Sequence, residues 1–233
     1  MTEAARIVVA GGTGALGTSL VATLLAEGAR VAVPFRTPAS FDRLRAALPA
    51  PGGLWGAQAE IATVAGARGF LDAAVAALGG LDGVAIVSGA YAGSGPLADA
   101  PEDEWPEMMA ANLEATHAVC RAALPHLVKD GGSVVTVASR LVDQGGAGSA
   151  AYVVAKAAVA ALTRVLALEY KDRRVRFNCV APGTIDTADN RKAMPSADRS
   201  GWTDPAAIAR VIAHLLSPAS APVTGAYVPV DGR

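Results

Sequence analysis

The segment Arg6-Ile7-Val8-Val9-Ala10-Gly11-Gly12-Thr13-Gly14-Ala15-Leu16-Gly17 decides how the chain is read. Its first residues form a short apolar run, which suits a buried strand. The glycines that follow suit a tight turn, because a residue without Cβ lets the backbone bend sharply and lets another group come close. Thr18 to Glu27, rich in Ala and Leu, predicts a helix stopped by Gly28, and Val31 to Phe35 predicts a second strand. Strand, glycine turn, helix and strand in that order form the opening of a dinucleotide-binding unit, where unpaired N–H groups at a helix N-terminus face a pyrophosphate. A glycine-rich turn alone is also a common plain turn. Its position between strand and helix is what favours a ligand at Gly11, Thr13, Gly14, Ala15, Leu16 and Gly17.

The alternation continues down the chain. Ser40 to Leu48 predicts a short helix capped by Ser40, Leu54 to Ala59 a third strand, and Thr63 to Leu78 a helix; Leu81 to Val87 leads into a fourth strand. Pro101 to Lys129 predicts one long helix carrying Asn112, with Pro and carboxylates in its first turn as the helix dipole favours. Ser133 to Ala138 predicts a buried fifth strand that ends at Ser139, and a helix follows from Tyr152 to Tyr170. Val175 to Val180 and Gly225 to Val230 are the last strands, with a helix capped by Asp204 between them. Thr187 to Ser200 is polar and irregular, as in a lid over a substrate. The expected fold class is therefore α/β: a single Rossmann domain over 1–233, built on a doubly wound parallel sheet of about seven strands. Its cofactor half is roughly 1–90 and its catalytic half roughly 91–233.

Composition narrows the function. The chain has 233 residues with 20 Lys and Arg against 21 Asp and Glu, so nucleic acid and membrane surfaces have no basic block to meet. His117, His126 and His214 are scattered, and no metal-ligand spacing appears. Cys120 and Cys179 fit no redox or catalytic pattern, so a reduced, cytoplasmic protein is expected. No secretory leader is expected at the N-terminus, and no apolar run reads as long enough to span a bilayer.

The chemistry-bearing residues lie further on. Tyr152 and Lys156 are four apart, hence on one helix face. A cation near a phenol favours the phenolate and brings tyrosine, ordinarily near 10, closer to useful acid–base work. Ser139 sits where a strand of an open α/β sheet ends, the place where such sheets bind ligands. An exposed Tyr/Lys pair on a helix is the plain alternative. After the second strand, Pro34-Phe35-Arg36-Thr37 lacks the acidic residue that would meet ribose hydroxyls, and Arg36 is suited to a 2′-phosphate, which favours NADP(H) over NAD(H). A solvated loop arginine is the alternative there.

Taken together these residues resemble the short-chain dehydrogenase/reductase family of classical type, over essentially the whole chain. Ala10-Gly11-Gly12-Thr13-Gly14-Ala15-Leu16-Gly17 is similar to the family's Thr-Gly-x-x-x-Gly/Ala-x-Gly, with Ala for the first Thr. The resemblance implies that Asn112, Ser139, Tyr152 and Lys156 are the catalytic set, with Tyr152 as general acid/base and Lys156 also holding the cofactor ribose. It implies cofactor contacts at Glu60 and Ile61, at Ser88 and Gly89 (where only Gly89 matches the family's Asn-Asn-Ala-Gly), and at the turn Pro182-Gly183-Thr184-Ile185-Asp186-Thr187. In that turn the Ile185 backbone and the Thr187 hydroxyl would hold the nicotinamide carboxamide. It further implies a small-molecule carbonyl or alcohol substrate and a homodimer or homotetramer. Asp186-Thr187, Asn190 to Pro195 and Trp202 locally resemble dihydropteridine reductase, which leaves reduction of a quinonoid pteridine as an alternative. A non-catalytic, NADP-sensing protein on the same fold is another.

Overall fold

The computed structural model describes residues 4–232, so the outermost ends of the expected domain span lie outside the described residues. The strands are Arg6–Ala10 (β1), Arg30–Phe35 (β2), Leu54–Gln58 (β3), Gly83–Ile86 (β4), Gly132–Val137 (β5), Val175–Pro182 (β6) and Tyr227–Val230 (β7). They form one parallel sheet of 7 strands in the order β3-β2-β1-β4-β5-β6-β7. The chain winds outward from β1 to one edge, then returns and winds to the other. The crevice where the two directions part lies beyond β1 and β4, at Gly11 and Ser88.

The helices are Ala15–Ala26 (α1), Pro38–Ala47 (α2), Val64–Leu78 (α3), Glu104–Met108 (α4), Ala115–Asp130 (α5), Leu141–Gln144 (α6), Ala150–Glu169 (α7), Ala188–Ala193 (α8) and Pro205–Leu216 (α9). Successive strand residues point to opposite faces, and each face has its own core. Val8, Ile86 and Val134 pack with Phe70 and Leu71 of α3, Val119 and Leu127 of α5, and Leu166 of α7. Ile7, Val9, Val33 and Val135 pack with Leu20 of α1, Leu44 of α2, and Ile208 and Ile212 of α9.

Several local expectations change. Thr37, not Ser40, precedes α2, with Pro38 at its first position; the Ser40 hydroxyl donates back to the Thr37 carbonyl at 2.6 Å. The long helix expected from Pro101 is broken into α4, a π-helical stretch Met109–Glu114, and α5. The irregular stretch after Thr187 contains α8, capped by the Thr187 hydroxyl, which accepts from Asn190 N at 3.1 Å. One membrane expectation also fails: α7, with 20 residues and a mean hydropathy of 1.7, is long and apolar enough to cross a bilayer by length and composition. Its buried residues, among them Val159, Ala160 and Leu166, pack inside the fold, where a parallel sheet needs an apolar cover.

Candidate active site

At the C-terminal end of β1 the chain removes side chains. Gly11 has φ +88°, and a Cβ there would lie 2.5 Å from Ser88 N. A Cβ on Gly17 would collide with the Gly11 carbonyl. Gly14 N donates to Gly11 O at 3.1 Å, which closes the turn and delivers the chain into α1. No acidic residue occupies the first turn of α1, so the positive end of that helix faces the crevice without a side-chain anion. Beside the turn, the buried Ser88 hydroxyl has no hydrogen-bond partner among the described residues. A backbone cradle at a helix N-terminus with an unsatisfied hydroxyl beside it fits a phosphate-bearing dinucleotide.

At the end of β5 the chain does the opposite and buries polar side chains. Lys156 is buried, and its Nζ donates to the Val137 carbonyl at 2.9 Å. That anchor sets the ammonium 5.9 Å from the centre of the Tyr152 ring, one helical turn away. The Tyr152 hydroxyl faces the Ser139 side chain, which favours its ionised form. Ser139 is also buried, and its Oγ accepts from Leu141 N at 3.3 Å.

Asn112 completes the group from the π-helical stretch. Its Nδ2 donates to the carbonyls of Met108 at 2.9 Å and Ala90 at 3.0 Å, and its Oδ1 accepts from Ala90 N at 3.3 Å. The wide turn thus turns a fully buried amide toward the loop after β4. Gly89 lies where these groups converge: a Cβ there would be 2.6 Å from Asn112 Oδ1 and 3.0 Å from Lys156 Nζ. The four residues Asn112, Ser139, Tyr152 and Lys156 therefore form one cluster.

The electrostatics correct one expectation. Burial raises the Tyr152 phenol above its ordinary value, the nearby Ser139 side chain works against that, and the Tyr91 side chain adds a smaller upward push. Lys156 does not bring Tyr152 down. It is itself pulled down to about 8 by burial, and its ammonium points at a carbonyl rather than at the phenol oxygen. Near neutral pH Tyr152 is held as the neutral phenol, the form that can give a proton.

The remaining candidates surround this cluster. Arg36 is exposed at the end of β2, and its carbonyl accepts from Gln58 Nε2 at 2.9 Å. Glu60 is exposed and turns back to accept from Ala62 N at 2.9 Å, with Ile61 half-buried beside it. The Pro182-Gly183 turn is held by Gly183 N donating to Val230 O at 3.0 Å. Ile185 O already accepts from Thr187 N at 2.9 Å and from Asn190 Nδ2 at 2.8 Å, so α8 engages both groups expected to meet a carboxamide. Tyr91, which is 65% exposed, stands edge-on to Tyr152 with ring centres 4.9 Å apart.

Sequence reasoning passed over Tyr227, whose hydroxyl donates to the Ser139 carbonyl at 3.0 Å, and Arg140, which pairs with Asp143 and Asp231. No spacing links Tyr227 to Ser139 across 88 residues; only the sheet order does. A cavity of about 550 Å³ lies far from this chemistry, around Arg6, Gly132, Arg176 and Leu216 at the N-terminal ends of the strands. Its Arg176 spends its donors on the carbonyls of Leu216, Ser217, Ser220 and Val223, so it caps the end of α9.

The family model described as enoyl-(acyl carrier protein) reductase matches residues 11–232. A short-chain dehydrogenase/reductase of Pyricularia oryzae, ABA4, is 38% identical over 178 residues, which cover 70% of this chain and 66% of that protein, just under two thirds of its length. A 2-(S)-hydroxypropyl-CoM dehydrogenase of Xanthobacter autotrophicus is 31% identical across 97% of this chain and 94% of its own. The solved structure of a short-chain type dehydrogenase/reductase from Mycobacterium ulcerans superposes with a TM-score of 0.90 at 28% identity, covering 98% of this chain and 90% of that one. With the glycine cradle, the seven-stranded parallel sheet and the Ser139–Tyr152–Lys156 cluster already in view, these likenesses place the chain in the short-chain dehydrogenase/reductase family of NAD(P)-dependent oxidoreductases.

Proposed function

We propose that this protein reduces a small-molecule carbonyl, or oxidises the matching alcohol, with Tyr152 as general acid/base and NADP(H) preferred to NAD(H). The observation that carries the reading is the cluster itself: the half-buried Tyr152 phenol facing the Ser139 side chain, with the buried Lys156 ammonium one helical turn away. The cofactor, when bound, supplies or takes the hydride. Gly11, Thr13, Gly14, Ala15, Leu16 and Gly17 would hold its phosphates, Ser88, Gly89 and Lys156 its nicotinamide ribose, and Ile185 and Thr187 its carboxamide.

Reduction leaves negative charge on the carbonyl oxygen. Ser139 donates a hydrogen bond to that oxygen and steadies the charge. Tyr152, kept neutral by its burial, gives the proton. Lys156, 5.9 Å from the phenol ring centre, and Asn112, which converges with it at Gly89, would hold a water that relays the replacement proton. The Xanthobacter relative is named for a hydroxypropyl substrate, which agrees with an alcohol–ketone pair. Arg36, placed where an acidic residue would meet a ribose hydroxyl, supports NADP(H). The same reading includes a homodimer or homotetramer, because Val154, Val165 and Leu168 leave apolar surface exposed on α7. A single-chain mass in light scattering would refute that part.

The test is NADPH oxidation with a panel of ketones, quinones and quinonoid pteridines. Tyr152→Phe should lose about 10²–10⁴-fold in kcat while binding NADPH as before. Full activity in that variant would sink the assignment. Tight NADPH binding with no turnover of any panel member by the unaltered protein would favour a cofactor-sensing role.

A further inference from the structure

We propose that Tyr227 is a positioning residue for Ser139: its hydroxyl reaches from β7, over β6, and fixes the Ser139 carbonyl so that the Ser139 side chain stays facing Tyr152. The proposal rests on the role given to Ser139 above.

The geometry begins with where β5 stops. Ala138 N donates to Val180 O at 2.8 Å and Arg140 N to Pro182 O at 3.0 Å, so the backbone around Ser139 is tied to β6 through its neighbours. The Ser139 carbonyl itself accepts from Val142 N at 3.1 Å, a bond inside the same short turn, and from Tyr227 Oη at 3.0 Å. The Tyr227 bond alone ties that carbonyl to a distant part of the sheet. Without it, the peptide carrying the serine is fixed on that side only by its own turn.

The path of the tyrosine depends on small residues. Tyr227 pairs in register with Cys179, and Cys179 with Thr136. To reach Ser139 the phenol must cross β6 and travel up the sheet. It crosses over a patch of Cys179, Ala181, Ala138 and Ala160, and packs against it. Larger side chains at Cys179 or Ala181 would fill that path.

The same corner is clamped from outside. Arg140, which follows Ser139, pairs through Nε with Asp231 at 3.0 Å and through Nη1 with Asp143 at 2.8 Å. Asp143 also faces the Tyr227 hydroxyl and, after burial, is the next cause that holds this phenol well above its ordinary range. Tyr227 therefore keeps its proton and remains a donor at working pH.

The test is a double-mutant cycle on Tyr227→Phe and Ser139→Ala, which removes one hydroxyl at each corner. Tyr227→Phe should lower kcat about tenfold, leave the KM for NADPH unchanged, and cost nothing further in the Ser139→Ala background. Losses that multiply in the double variant would mark Tyr227 as a general structural residue and overturn the proposal. A second readout needs no substrate. The ionisation of Tyr152, isolated as the absorbance difference from a Tyr152→Phe counterpart, should move to higher pH by a similar amount in both single variants and no further in the double. A shift in Ser139→Ala with none in Tyr227→Phe overturns the positioning role alone. No shift in Ser139→Ala removes the Ser139–Tyr152 pairing, and with it the catalytic reading beneath.

Discussion

The turn after β1 and the shelf after β5 lie at the same end of one sheet, and they prepare for a ligand in opposite ways. The turn works by omission: glycines at 11 and 17 leave room that any Cβ would fill, and backbone is what a ligand would meet there. The shelf works by burial: Ser139, Lys156 and Asn112 are removed from water and each is held by a named partner. A backbone cradle tolerates many phosphate-bearing ligands. A proton-transfer set has to hold its atoms within fractions of an ångström, so it needs fixed side chains and the cost of burying them.

The largest effect expected from breaking this contrast is at the turn. In Gly17→Val the added Cβ would collide with the Gly11 carbonyl and lie 2.7 Å from Gly12 Cα, all backbone that cannot swing away. Overpacking of that kind costs about 3 kcal/mol, so NADPH affinity measured by calorimetry should fall about 100-fold or more. Affinity within threefold of the unaltered protein would show that the turn is not the cradle.

The shelf shows its cost in a pH dependence. The pKa of Lys156 falls from 10.5 to about 8 because burial disfavours the ammonium. The folded protein thus holds this proton less tightly than the unfolded chain does. Stability contributed by Lys156 is lowest below about 8, rises with pH through the window, and is fully recovered above about 10.5. In Lys156→Met that titration is gone. Denaturant melts across the window should show the difference between the two proteins moving in favour of the unaltered one by about 3 kcal/mol. A flat difference would mean that the ammonium is solvated.

These two regions were unequally legible. Gly11 to Gly17 can be read from spacing because its logic is local: strand, turn and helix are consecutive, and glycine is the signal. The identities and spacings of Ser139, Tyr152 and Lys156 were also legible, since one strand end and one helix carry them. Their electrostatics were not. Whether Lys156 lowers Tyr152 depends on where the ammonium points, and it points to Val137. The π-helical turn at Asn112 left no mark in the residue pattern, and neither did the capping of α8 by Thr187, because polar stretches of that composition suit loops equally well. Tyr227 was invisible for a topological reason: its contact with Ser139 exists only once β7 is placed beside β6.

The two regions meet at Gly89, and a methyl group there sharpens the boundary between them. A Cβ would press on Asn112 Oδ1 and Lys156 Nζ without touching the glycine turn. Gly89→Ala should therefore lower kcat by about 10- to 30-fold through displaced side chains, and weaken NADPH by a smaller factor because Gly89 and Lys156 also face the nicotinamide ribose. An equal loss in both would mean that the methyl acts through the ribose alone and leaves Asn112 and Lys156 in place.

The smallest effect concerns the turn's selectivity, and it separates cradle from discriminator. Backbone N–H groups at the start of α1 would treat the pyrophosphates of NADPH and NADH alike, so a preference would have to come from a side chain further along. Arg36 at the end of β2 is exposed, which limits how much one ion pair there can give. A charge-assisted contact to a 2′-phosphate is nevertheless worth about 1.5 kcal/mol, or roughly tenfold. Arg36→Ser should raise the KM for NADPH about tenfold, leave that for NADH within twofold, and flatten the salt dependence of NADPH binding, because the phosphate loses its counter-charge. Equal changes for both cofactors would assign Arg36 to the adenine or to the loop itself, and the selectivity would then have to lie in Thr37 and its neighbours at the start of α2.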